Sequence, residues 1–203
     1  MERRYAYGKY KKVRNAAWQC LIDCQVRSLP VNLKAVAAAS GVKLCSYNDN
    51  GGMLQQKGYA PLLKSSGFAY VDMKGATLIF FDQWTSHQQI RYTVAHELGH
   101  ILLGHVGSKG EIVPLGTPLL PSDPKLEREA DRFAIRLLAP ACALWAMNAY
   151  SPGEIATICD IPLERAWDRA KRMRVLQERN RWLTDPQEQA LFKQMALSVP
   201  GRR

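Results

Sequence analysis

The stretch from Thr85 to Gly104 leaves the backbone little choice. Ile90, Val94, Leu98, Ile101 and Leu102 recur at three- and four-residue steps, the period of an α-helix with one apolar stripe. Thr85 or Ser86 stands where an N-cap is needed, Gln88 or Gln89 follows three residues on as a reciprocal partner, and Gly104 stands where the helix would close. Inside this helix lies His96-Glu97-Leu98-Gly99-His100, an H-E-x-x-H pattern. Residues four apart share a helix face one turn above each other, so the two imidazoles can reach one ion, and neutral imidazole is a preferred zinc ligand. Glu97 is offset around the helix and long enough to serve a water beside that ion rather than the ion itself. Its expected task is proton transfer during amide hydrolysis.

A catalytic zinc usually takes three protein ligands, and two candidates compete for the third place. His105 follows His100 by five residues, whereas the extended pattern ending in a third histidine needs six, with glycine where Leu103 stands. Glu127 lies in the next helix, four residues before Asp131, so the two share a face. Glu127 completes a His-His-Glu set, and Asp131 can accept the N–H of a liganding histidine. Glu129 falls about two positions round that helix, which points it to solvent unless the helix phase is off by a turn. For the oxyanion of the tetrahedral intermediate, His105, Tyr92, Tyr70 and His87 are chemically able, and His105 is taken as the catalytic candidate beside Glu97.

The rest of the chain predicts an α+β fold: a small antiparallel sheet packed on the active-site helix, then a helical C-terminal tail. Val13 to Val26 has helix period, and Leu33 to Ala39 forms a shorter helix stopped by Ser40-Gly41. Lys43 to Tyr47 reads as a strand and Asn48 to Gly52 as a turn. Gly67 to Asp72 and Ala76 to Asp82 read as two strands joined across Met73-Lys74-Gly75. Gly107 to Pro124 is a proline-rich loop expected to rim a cleft, and Asp123-Pro124 opens a helix that Pro140 stops. Ser151-Pro152-Gly153-Glu154 is a capping box, and Pro162 opens a long basic helix to about Trp182. Residues 1–148 are expected as the catalytic domain and 149–203 as a tail packed on it.

Composition narrows the function. The five cysteines are odd in number and never spaced C-x-x-C, as suits buried thiols in a reducing compartment, hence the cytoplasm. No apolar run approaches a bilayer span, so no membrane role is expected. The formal charge of +10 suits an acidic partner such as nucleic acid, or simply a solvated surface. Oligomeric state is not legible.

Two segments, Arg91 to His105 and Glu127 to Pro140, resemble the ImmA/IrrE-type metallo-endopeptidases, although Tyr92 stands where phenylalanine is common and Ala139 where methionine often precedes the proline. The resemblance implies a zincin-like fold, Zn2+ held by His96, His100 and Glu127, and Glu97 as the catalytic glutamate. It also implies cytoplasmic action in bacteria or their mobile elements on a protein substrate, a helix-turn-helix repressor. The competing reading is a zinc-stabilised regulatory module or anti-repressor that binds DNA or a repressor with little proteolysis. Its basis is Glu154 to Met173, spaced like a helix-turn-helix, with Arg165, Arg169, Arg172 and Arg174 available for phosphate. Asp160 occupies the turn position where glycine is usual, and a helix pair packed on the catalytic domain explains the same pattern.

Overall fold

A computed structural model describes residues 10–56, 58–105, 112–113, 123–180 and 182–197. Most of the proline-rich loop expected as a cleft rim, and the basic residues before Tyr10 and after Leu197, lie outside the described residues. The fold is α+β, and the chain divides into two compact units: residues 33–134, and residues 1–32 together with 135–203. The boundary expected near residue 148 falls inside the latter unit.

In the 33–134 unit, α2 (Leu33–Ala39) leads through Gly41, at φ +70°, into β1 (Val42–Ser46). Then come α3 (Tyr47–Gln56), a 3-10 turn (Ala60–Lys64), β2 (Gly67–Val71), β3 (Thr77–Phe81), α4 (His87–Leu102) and β4 (Ile112–Val113). The last helix, α5 (Pro124–Leu138), runs across the division between the units.

The described strands form one sheet in the order β1-β3-β2-β4. The antiparallel expectation holds for β2 with β3, but β1 runs parallel to β3, and β4, inside the segment expected as a loop, adds an antiparallel partner to β2, so the sheet is mixed. The cause is the segment expected as a turn. Asn48 to Gly52 is part of α3, so the chain returns to the sheet by a helical crossover, the connection that parallel pairing requires. Two glycines oppose a helix there, yet Ser46 Oγ accepts the Asp49 N–H (3.2 Å), and Tyr47 and Leu54 are buried seven residues apart. Tertiary burial outweighs propensity. The β2–β3 turn is as expected: Asp72 Oδ1 accepts the N–H groups of Lys74 and Ala76, and Gly75 has φ +86°.

The sheet presents two unlike faces. Phe68, Tyr70, Phe80 and Cys45 join Tyr47, Leu54 and Leu62 in one aromatic-rich cluster, with the Phe68 and Phe80 rings stacked at 5.1 Å. Burying each of those phenylalanines contributes about 1.5–3 kcal/mol. Gly67 and Ala69, on the alternate positions of β2, present almost no side chain, and α4 packs against β2 and β3. A Cβ on Gly67 would stand 2.5 Å from Thr93 Cγ2 and 2.8 Å from the Phe80 carbonyl oxygen. That absence of bulk lets the central helix lie close to the sheet.

The other unit holds α1 (Lys11–Asp23), α6 (Ala141–Ala146), α7 (Pro152–Cys159), α8 (Leu163–Arg179) and α9 (Pro186–Gln194). Val13, Ala17 and Leu21 are buried on α1, which packs on α9; Arg14 pairs with Asp185, and Gln194 donates to the carbonyls of Leu21 and Val26. The capping box at Ser151 is complete, and Asp160 takes the left-handed conformation (φ 51°) between α7 and α8. Of the four arginines expected to meet phosphate, Arg169 is buried, and its burial lowers its pKa to about 10. The exposed side of α8 carries Glu164 and Asp168 as well as Lys171 and Arg174. No described helix is long and apolar enough to cross a membrane.

Candidate metal centre

Helix α4 begins as its sequence requires, with Ser86 Oγ accepting the Gln89 N–H (3.2 Å). Two rows of side chains on it then do different things. The row Thr93, Glu97 faces β2: Thr93 lies over Gly67, and the Ala69 N–H donates to the Glu97 carboxylate, which is only 4% exposed. The row Tyr92, His96, His100 faces α5, because residues at i, i+4 and i+8 stay on one side of a helix. Gly99 lies on the α5 side of the helix, and a Cβ there would fall 3.1 Å from Phe133 Cδ1 and 3.2 Å from both Cα and O of Ala130. The two helices therefore meet nearly backbone to backbone, which brings the acidic first turns of α5 against the histidines.

At that contact His96 Nε2 lies 3.0 Å from His100 Nε2 and 3.3 Å from Glu127 Oε2, and His100 Nε2 lies 3.6 Å from Glu127 Oε1. These three residues can each offer one atom to a common ion. Tetrahedral bonds of about 2.0–2.1 Å separate ligand atoms by about 3.3 Å, so the cluster has the size a zinc-like cation needs. Glu127 Oε1 is buried and without a hydrogen-bond partner, an arrangement costing about 1–3 kcal/mol unless a cation satisfies it. The donor set fits a metal. On the outer side of His96, Nδ1 stands 3.1 Å from Asp131 Oδ1, and the Tyr92 hydroxyl donates to the same oxygen at 2.9 Å.

Residues 41–163 match the peptidase family described as the IrrE N-terminal-like domain, well over half of the chain. The chain belongs to that family. It is a metallopeptidase-type protein, and a peptidase acts on protein. Among curated proteins, none matches it. The α+β arrangement of this IrrE N-terminal-like domain is that of a zincin-like fold.

Of the other expected site residues, His105 and Tyr92 border this cluster, and Tyr70 and His87 lie away from it. His105, expected as catalytic, stands behind His100, its Nδ1 facing His100 Nδ1 at 3.1 Å and its Nε2 3.4 Å from Glu129 Oε2. The reason is the helix end. Gly104 adopts φ +75°, its N–H bonds to the Ile101 carbonyl, and the His105 N–H returns to the His100 carbonyl at 2.8 Å. Glu129, expected to face solvent, is accordingly 17% exposed and turned to His105. Tyr92 is engaged by Asp131, Tyr70 is buried in the aromatic cluster, and His87 is exposed at the start of α4, nine residues before His96.

The electrostatics of the cluster follow from burial and neighbours. Burial opposes a charge on His96, but hydrogen bonds with Asp131 and Glu127, and the Glu97 charge, prevail and raise its pKa to about 10. His100 falls to about 3, first through burial and then through the neighbouring His96 and His105 rings. Glu97 rises to about 7: burial raises it, His96 opposes, Glu127 adds, and the Ala69 N–H opposes.

Proposed function

We propose that this protein is a zinc-dependent endopeptidase of the cytoplasm, with a helix-turn-helix repressor as substrate. The observation that carries this reading is the convergence of His96, His100 and Glu127 around the unpartnered Glu127 oxygen. Zn2+ at these three residues would supply Lewis acidity towards a water and towards the scissile carbonyl.

The chain's own residues supply the rest. Glu97, buried and held against β2 by the Ala69 N–H, stands one residue from the His96 ligand and can take a proton and return it to the leaving amine. Asp131 holds the His96 ring by its Nδ1, and Tyr92 holds Asp131, which fixes the tautomer that leaves Nε2 free to ligate. The Gly99 contact sets the spacing of the two helices that carry these groups.

The test is incubation of wild type and Glu97→Gln with helix-turn-helix repressors encoded beside the gene, read by mass spectrometry. A discrete cut made only by the wild type supports the endopeptidase. A repressor inactivated equally by both proteins, uncut, shows an anti-repressor that works by binding.

A further inference from the structure

The two candidate ligand histidines are supported differently. His96 meets a carboxylate directly through Asp131, whereas His100, fully buried, meets another imidazole. We propose that His105 and Glu129 are positioning residues for His100, a two-member line that fixes the ring and its tautomer as Asp131 does for His96.

The directions of the hydrogen bonds follow from the contacts. His100 Nε2 is the nitrogen that faces His96 and Glu127, so Nε2 is the ligating atom and must lack a proton. The single proton of the neutral ring then sits on Nδ1, 3.1 Å from His105 Nδ1. Two facing ring nitrogens bond only if one donates and one accepts. His105 Nδ1 is therefore the acceptor, and its own proton sits on Nε2, which faces Glu129 Oε2 at 3.4 Å. Each donor in the line points towards the carboxylate: His100 to His105, His105 to Glu129.

The backbone builds the same pairing. The left-handed Gly104 folds the chain back so that the His105 N–H bonds the His100 carbonyl at 2.8 Å, fixing the two residues to each other at main chain and side chain. The His105 side chain is 6% exposed and its ring lies 5.2 Å from the His100 ring, centroid to centroid. Glu127, Glu129 and Asp131 thus leave α5 for three different tasks at one centre: ligand, support of His100 and support of His96.

This inference rests on the reading of His100 as a metal ligand, and the experiment separates the two. Zinc affinity is measured by competition with a chromophoric chelator for wild type, His96→Ala, His105→Phe, His105→Asn and Glu129→Gln, with metal-free melting as the control on folding. His105→Phe keeps the bulk but removes the acceptor and is expected to weaken zinc roughly 10–100-fold. His105→Asn, whose side-chain oxygen can still accept from His100, is expected to recover most of that loss.

On the zinc-loaded wild type, imidazole nitrogen NMR should place the His105 proton on Nε2 and the His100 proton on Nδ1. A His105 proton on Nδ1, or wild-type affinity in His105→Phe, overturns the positioning role while leaving the metal centre intact. Tight zinc binding in His96→Ala, or no uptake by the wild type, overturns both.

Discussion

Gly99→Ala tests whether the helix contact that assembles the centre is as close as described. Alanine improves intrinsic helix stability by about 1 kcal/mol over glycine, so an uncrowded site would gain from the change. Here the new methyl would lie 3.1–3.2 Å from Phe133 Cδ1 and from Ala130 Cα and O, inside ordinary carbon contact of about 3.5–4.0 Å. Two of those three atoms are backbone and cannot turn aside, so α5 must move by a few tenths of an ångström. Overpacking of this kind costs about 1–3 kcal/mol, which leaves a net loss of roughly 0–2 kcal/mol. The same displacement carries Glu127 and Asp131 away from the histidines, and zinc affinity is expected to fall on the order of tenfold or more. Chemical denaturation of the metal-free protein gives the first quantity and chelator competition the second. A variant stabilised by about 1 kcal/mol with unchanged zinc affinity would refute the close approach.

Gly67→Ala places a methyl against Thr93 and the Phe80 carbonyl and should destabilise by about 1–3 kcal/mol; pairing it with Thr93→Ser should recover only part, because the carbonyl remains. Ser151→Ala removes the α7 cap and should cost about 1 kcal/mol in denaturant melts. Bonds from Ser151, from its side chain first and then its backbone, hold the Glu154 carboxyl below its ordinary value of 4.5. Its contribution is therefore present above that value and lost as pH falls through the lower folded-state value, and the melting difference between wild type and Glu154→Gln should shrink there. Burial pushes the Cys142 thiol up to about 12, so it should react with a thiol reagent near neutral pH only after unfolding.

Much of the centre was legible because its signals are local. The Ser86 cap, the 3.6-residue period and the H-E-x-x-H spacing lie within one helix, and four-residue spacing alone put Glu127 and Asp131 on a common face. The β2–β3 turn carried its own chemistry in Asp72 and Gly75. What escaped depends on how segments meet. α3 forms over Asn50-Gly51-Gly52 because Tyr47 and Leu54 find a core, which period and propensity do not reveal. The parallel β1 follows from that helix. The position of His105 depends on the left-handed turn at Gly104, and the inward turn of Glu129 on His105, neither of which helix period reveals. Helix α9 was missed although Asp185-Pro186 repeats the cap-then-proline signal of Asp123-Pro124 and Ser151-Pro152, and α6 was missed behind Pro140, which ends one helix and precedes the next.

The most direct test of the centre is zinc content under chelator competition for wild type, Glu127→Ala and Glu129→Ala. The account predicts about one zinc ion per wild-type chain, its loss in Glu127→Ala, and a weakened but occupied site in Glu129→Ala. Zinc held as tightly without Glu127 as with it would contradict the ligand set and the chemistry built on it.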